Sequence, residues 1–283
     1  MNGMKLVVPL CIALAYGPTQ VLATPILSSD LASFAVLGAT GVTNVPTSTI
    51  GGNLGSAPTA SVGGGYSFTS GSVQSNTTLA QQAQLDLDAA ILAVNGMGPG
   101  LTIGTDLTGT IFPGIYTVPA AATNLSGALL LDGGGSNNAL WVFLFPSTLI
   151  TSSTSTVNVV NVGDGANVGL YWSVGSAATL DGLIFAGNVL AKSLISSDGN
   201  LTISCGRLLS AESQVTLIQD NISIGCTGFT NPGGPSNPNP GFGGGQIARV
   251  PEPGTVLLLG IGLAGLIGLR KTLPSVAVTA QTN

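Results

Sequence analysis

Two patterns of apolar positions run along this chain, and they predict different elements. From Leu79 to Val94 there is no Gly or Pro, and Ala83, Leu87, Ala90, Ile91 and Val94 fall on one stripe at helical spacing. Thr78 with Gln81 three residues later fits a capping box, and Gly96 suits the C′ position. The spacing therefore predicts one long helix over about residues 78–95. Elsewhere, Val, Ile, Leu and Thr runs of strand length alternate with Gly, Asn, Asp and Ser turns. Toward the end the runs become regular. Leu170–Gly187, Asn188–Gly206 and Arg207–Thr227 each hold three apolar bursts, which is one coil of a three-sided parallel β-helix. Ala139–Phe145 and Ser155–Val162 fit the same scheme less tightly. The predicted fold is mainly β: a right-handed, three-sided parallel β-helix with the helix packed along one side.

The termini break both patterns. Lys5, the apolar run Leu6–Tyr16 and Val21-Leu22-Ala23 form a secretory signal peptide, residues 1–23, too short to span a bilayer comfortably. The body follows over residues 24–230. Residues 231–249 are rich in Pro, Gly and Asn and read as a linker. Val250-Pro251-Glu252-Pro253-Gly254, the apolar stretch Thr255–Leu269 and the basic Arg270-Lys271 then resemble the PEP-CTERM sorting signal of Gram-negative bacteria, with a longer tail, residues 272–283, than is usual. That resemblance implies export, processing by an exosortase-type enzyme, a cell-surface or extracellular location, and an apolar segment that could anchor the chain transiently in a membrane.

Charge narrows the functions. Between Thr24 and Thr230 only Lys192 and Arg207 are basic, against ten acidic residues, so the net charge is 2 − 10 = −8. Phosphate backbones require clustered Lys and Arg, so nucleic acid is excluded as a partner. There is no His, which removes a Ser-His-Asp arrangement and leaves little for zinc. The acids are scattered and sit mostly in turns, as in Asp132-Gly133 and Asp198-Gly199, so a polysaccharide-degrading β-helix enzyme is the weakest reading. Asp86 and Asp88 do not share a helix face and read as solvated. No metal or cofactor is expected. Arg207 reads as a structural residue at a coil corner.

Cys11 is lost with the signal, leaving Cys205 and Cys226 in an oxidising compartment. They follow LTIS and ISIG at matching places in successive coils, and stacked coils lie about 4.8 Å apart, within a disulfide's reach. A Cys205–Cys226 bridge is predicted; two free buried thiols are the alternative.

Several segments carry a family likeness: LASFAVLGATGVTNVP (31–46) with STIGGNLGSAP (48–58), FPGIY (112–116) before LSGALLLDG (125–133), LYWSVGSAATL (170–180), and Gly187–Ala191 with GRLLSAESQVTLI (206–218). In order and over nearly all of residues 28–224, these resemble the large microbial ice-binding protein family. The resemblance implies a discontinuous right-handed β-solenoid flanked by one helix, and adsorption to ice through one flat face. Ice carries no net charge, so a rigid, weakly polar surface suits it, and Thr or Ala methyls can seat ordered water. The candidate face runs through the second burst of each coil: Thr148, Thr151, Ser153, Thr154, Ser176, Ala178, Thr179, Ser196, Ser197, Gln214 and Thr216, with Thr43, Thr47 and Thr49 as an extension. Outward Thr and Ser are also simply good strand residues. The rival reading is a surface or matrix protein binding polysaccharide, for which Tyr66, Tyr116, Trp141, Tyr171 and Trp172 are the available aromatics; both Trp lie in strand bursts that suit core packing.

Overall fold

A computed structural model describes residues 24–45, 47–226 and 240–247. The expected signal peptide, most of the linker, the sorting signal and the tail lie outside the described residues.

The apolar bursts become strands because alternate residues can enter a core while their backbones pair with the coils on either side. All pairings along the stack are parallel, and they form three faces. A narrow face holds Leu149–Ile150, Ala178–Leu180, Ile195–Ser197, Gln214–Leu217 and Gly41–Asn44, in that order. The other two faces are arms of one 15-stranded sheet. Two long strands, Ile184–Ala191 and Thr202–Ser210, bend round their shared corner, where the register shifts between Phe185 and Gly187. The broad face runs through Gly109–Ile111, Ala128–Asp132, Thr156–Val160, the starts of the two bent strands, Asn221–Ser223, Ser48–Gly51 and Tyr66–Ser70. The covered face runs from Leu101–Thr102 through Gly114–Thr117, Leu140–Phe145 and Gly169–Val174, and ends at Phe34–Gly38, Asn53–Ser56 and Val73–Ser75.

The stack order is not the chain order. The N-terminal coils lie beyond the C-terminal ones: Leu208 pairs with Val36, Val215 with Val42, and Asn221 with Thr49. The chain therefore starts beside its own last coil, moves outward to one end, crosses to the other end through the long helix, and climbs back. That helix spans Thr78–Asn95, as the spacing predicts, and its 18 residues reach about 27 Å. Its cap differs from the expected one. Thr77 is the N-cap, accepting from the Ala80 amide at 3.3 Å, while the Gln81 side chain reaches back to Asn76. Gly96 caps the end in a right-handed conformation, φ −66°. Ala80, Ala83, Leu87, Ala90 and Val94 are buried against Leu37, Val142, Tyr171, Leu190 and Leu209 of the covered face. Asp86 is fastened rather than solvated: it accepts from Ser28 Oγ at 2.5 Å, and Ser28 caps the short helix Ser29–Ala32. Asp88 is exposed.

The core is a set of stacked side chains. Phe143 lies 4.5 Å from Trp172, and Trp172 5.0 Å from Phe185, between ring centroids. Both Trp residues are fully buried; Trp172 Nε1 donates to the Ala186 carbonyl at 2.9 Å. The predicted bridge is present: Cys205 and Cys226 are disulfide-bonded, with Cα atoms 4.2 Å apart.

The C-terminal boundary of the body needs correction. Residues 240–247, expected to belong to the linker, fold back as a strap. Gln246–Ile247 pairs with Thr24–Pro25, Phe242 is buried in the core, and the Gly244 amide donates to the Val168 carbonyl at 2.8 Å. The strap is held by Arg207, itself 1% exposed. Its guanidinium donates to the carbonyls of Ala32, Pro240 and Gly241 and to Asn188 Oδ1. Glycine is required at 241, where φ is +64° and a Cβ would strike the guanidinium. Burial lowers the Arg207 pKa to about 10, so it remains charged at neutral pH.

Candidate functional site

Among the described residues, two faces remain open once the helix covers the third. Strand alternation sends every second side chain outward, and the pairing register decides which outward side chains line up. On the broad face, one row runs in unbroken register: Ala128, Thr156, Ile184, Thr202, Asn221, Thr49, Ser67. Their inward neighbours Val157, Phe185, Ile203, Ile222 and Ile50 are buried and hold the row from beneath. A second outward row includes Thr110, Leu130 and Asn158. Neither row carries a charge. All seven residues of the first row are exposed or half-exposed. Among the described residues, the side-chain oxygens of Thr49, Ser67, Thr156, Thr202 and Asn221 accept or donate no hydrogen bond within the protein, so they are free for water. The strands of this face span about 34 Å, from seven steps of ~4.8 Å.

The narrow face carries a shorter row: Ile150, Thr179, Ser196, Thr216 and Thr43. Four steps give it about 19 Å. Thr43 Oγ1 already donates to Thr216 Oγ1 at 3.3 Å. Charges border it on both margins. Asp181 and Asp198 directly follow Ala178–Leu180 and Ile195–Ser197, and Lys192 and Glu212, ahead of Ile195–Ser197 and Gln214–Leu217, form an ion pair of 3.9 Å.

The residues singled out from sequence divide between these places. Thr179, Ser196, Thr216 and Thr43 do come together in the narrow row. Thr148 and Gln214 lie beside it, half-buried and exposed respectively. Ser176 sits in the turn before Ala178, and Ser153 and Thr154 are exposed in the turn that leads to the broad face. Thr47 is exposed just before Ser48–Gly51, and Thr49 belongs to the broad row.

Three of the candidates cannot touch a flat surface. Thr151 is 2% exposed, Ala178 0% and Ser197 1%. Thr151 Oγ1 accepts from the Asp181 amide at 2.9 Å, and Ser197 donates to the buried Asp220 and accepts from the Ile218 amide. These hydroxyls build the corner. Taking a whole burst as a surface ignored that its neighbours point in opposite directions.

Sequence reasoning passed over Ala128, Thr156, Ile184, Thr202, Asn221 and Ser67. A signal for most of them was present. TVN (156–158), TIS (202–204), NIS (221–223) and SFT (67–69) each place an apolar residue between two polar ones, the alternation of a half-buried strand.

Comparison with known proteins agrees with this architecture. The family model described as Ice-binding-like matches residues 36–223. A curated relative, an ice-binding protein of Nostoc sp. (strain HG1), is 36% identical over 240 residues, covering 83% of this chain and 82% of that one. The chain belongs to the ice-binding-like family. Among solved structures, an ice-binding protein of the Antarctic ascomycete Antarctomyces psychrotrophicus is 30% identical, with a TM-score of 0.59, covering 71% of this chain and 98% of the other. One from an Antarctic biological consortium is 27% identical, with a TM-score of 0.62 over 77% of this chain and 95% of that one. This member of the family also carries a PEP-CTERM protein-sorting motif at residues 249–271, which implies export and sorting. The motif begins two residues after the strap ends at Ile247.

Proposed function

We infer that this protein adsorbs to ice, and that its contact surface is the broad face rather than the narrow one. The observation that carries the reading is the in-register row Ala128, Thr156, Ile184, Thr202, Asn221, Thr49, Ser67, uncharged and with its polar oxygens unclaimed by the protein. Ice offers a lattice of hydrogen-bonding sites without net charge. A charged side chain would keep its own hydration shell and hold the lattice off. Methyl groups on Thr and Ile order water between them, and free hydroxyls join that water to the crystal. Because the row stands on a packed core, little conformational entropy is lost on contact. The family relatives named as ice-binding proteins support the same activity here. Adsorption needs no catalytic step.

The PEP-CTERM motif supports exosortase-type processing and presentation at the cell surface or outside the cell. Polysaccharide binding is less well supported, since Trp141 and Trp172 are both in the core and cannot stack on sugar rings. The deciding experiment compares Thr202→Tyr on the broad face with Thr179→Tyr on the narrow face. Thermal hysteresis and ice recrystallisation inhibition are measured on the purified protein. Loss in Thr202→Tyr alone supports the broad face; loss in Thr179→Tyr alone moves the contact to the narrow face; absence of both activities in the wild type removes the ice reading.

A further inference from the structure

The broad row is not made by one run of chain. Thr202 and Asn221 lie on the last coils in sequence, Thr49 and Ser67 on the first, and they meet where Asn221 pairs with Thr49. Most neighbouring coils are joined by turns, which restrict their register covalently. At this junction the covalent path runs through the long helix and the rest of the stack. Nor does the alternation of core and solvent positions settle the register there. A slip of two residues preserves the alternation and the parallel backbone ladder, yet carries Thr49 about 6.6 Å out of line with Asn221. The disulfide does not cross the junction, because Cys205 and Cys226 both lie on the C-terminal coils.

A buried acid stands at this point. Asp220 is 1% exposed and is the sole buried carboxylate among the described residues. Its oxygens accept from the Ser197 hydroxyl, from the Leu201 amide at 3.1 Å and from the Ile218 amide at 3.1 Å, which fixes the turn between the narrow and broad faces. The turn so held sends the Asp220 amide across the junction to Ser48 Oγ at 2.9 Å, and its carbonyl accepts from the Thr49 amide at 2.8 Å. Ser48 Oγ in turn donates to Asn44 Oδ1 at 2.7 Å, and Asn44 Nδ2 donates to the carbonyl of Gly65 in the next coil. One hydrogen-bonded chain thus ties four successive coils at a single corner. Aliphatic packing would fill that corner, but it would not distinguish registers two residues apart.

We propose that Asp220 is a positioning residue for the ice-contact face: its carboxylate sets the turn whose amide meets Ser48, and this locks the N-terminal coils in the register that aligns Thr49 and Ser67 with Asn221 and Thr202. The functional half of this statement rests on the broad-face reading; the register half does not.

The test uses the full protein with cysteines placed at the paired positions, Thr49→Cys with Asn221→Cys, and reads their oxidative cross-linking. Hysteresis at equal folded concentration is measured separately, in the same Asp220 variants without the added cysteines. In an Asp220→Ala background that retains its β-sheet circular dichroism, the 49–221 cross-link and the hysteresis both fall severalfold. Asp220→Asn, which keeps an acceptor for the Leu201 amide, restores both. A residue serving stability alone would lower Tm but leave the cross-link yield and the activity per folded molecule unchanged, and that result overturns the proposal. Should Asp220→Ala not fold, Ser48→Ala, which removes the acceptor across the junction, carries the same expectation and the same refutation. A wild type without hysteresis defeats the ice reading, while the cross-link comparison still judges the register.

Discussion

Arg207 offers the sharpest test of how the body is closed. Among the described residues no carboxylate pairs with this buried cation: its hydrogen bonds go to Asn188 Oδ1 and to the carbonyls of Ala32, Pro240 and Gly241. Two of those carbonyls belong to the strap, and a third belongs to the end of the short N-terminal helix. Arg207→Ala removes every one of these donors at once. Asn188 is fully buried and Gly241 buried, so at least two acceptors would be stranded away from water. A stranded buried acceptor costs about 1–3 kcal/mol. Relief of the guanidinium's own desolvation, which lowers its pKa to about 10, offsets part of this. The net expectation is a loss of about 3 kcal/mol, or roughly 6–12 °C in Tm for a body of this size. The loss should begin at the strap. In hydrogen exchange, the Gly243, Gly244 and Gly245 amides, bonded to the Pro240 carbonyl, the Val168 carbonyl and Asn167 Oδ1, lose protection before the coils do. An unchanged Tm together with full protection of those amides would refute the reasoning, since the strap would then be held by its other contacts, among them Phe242 packing and the Tyr171–Gly244 and Asn188–Phe242 hydrogen bonds.

The remaining expectations can be checked on the same protein. Thr202→Tyr abolishes most hysteresis while changing stability by no more than about 0.5 kcal/mol, as befits a half-exposed, outward-facing site; a large Tm change would mean the row is structural. Thr151→Val costs about 1–2 kcal/mol, because the Asp181 amide loses its acceptor, and it leaves the broad-face row proposed to meet ice intact; chemical denaturation reads the first and hysteresis the second. Reducing Cys205–Cys226, which closes a sequence separation of 21 residues, costs about 3 kcal/mol, seen as a lower denaturation midpoint in the presence of reductant. Burial raises the Asp220 pKa above its ordinary value, against the partial opposition of the Ser197, Ile218 and Leu201 donors. The folded state then holds this proton more tightly than the unfolded one. As pH falls from neutral through the raised pKa, wild type therefore gains stability relative to Asp220→Asn, the reverse of a salt-bridged Asp; a wild-type Tm that falls relative to that of Asp220→Asn on acidification contradicts it.

Much of the architecture can be read without coordinates. The helix is legible because Leu79 to Val94 lacks Gly and Pro and keeps one apolar stripe, which only a 3.6-residue period can bury. The coils are legible from three bursts per segment, and the bridge from two Cys at matching places in successive segments. Local periodicity dictates these features, so they survive without knowledge of the partner. The candidate contact face is different. The second burst of each coil is rich in Thr and Ser, yet Thr151 and Ser197 spend their hydroxyls on the corner, and Ala178 points inward. Composition within a burst says nothing about the direction of a given side chain; the alternation must be phased first, and the tertiary register supplies the phase.

The docked strap was equally hidden. Gly241, Gly243, Gly244 and Gly245 have the composition of a linker, and nothing local distinguishes a glycine chosen for freedom from one chosen so that the backbone can approach Arg207, Asn167 and Leu140. The sequence alone determined the repeating strand, the long helix, the scarcity of charge and the PEP-CTERM sorting motif, because each depends on residues close together in the chain. Only the tertiary structure decided that the N-terminal coils stack beyond the C-terminal ones, that the helix occupies one face, and that seven outward residues from distant segments form one row. Those outcomes depend on pairings such as Asn221 with Thr49, between segments far apart in sequence, and no local pattern encodes which distant strand edge a strand will meet.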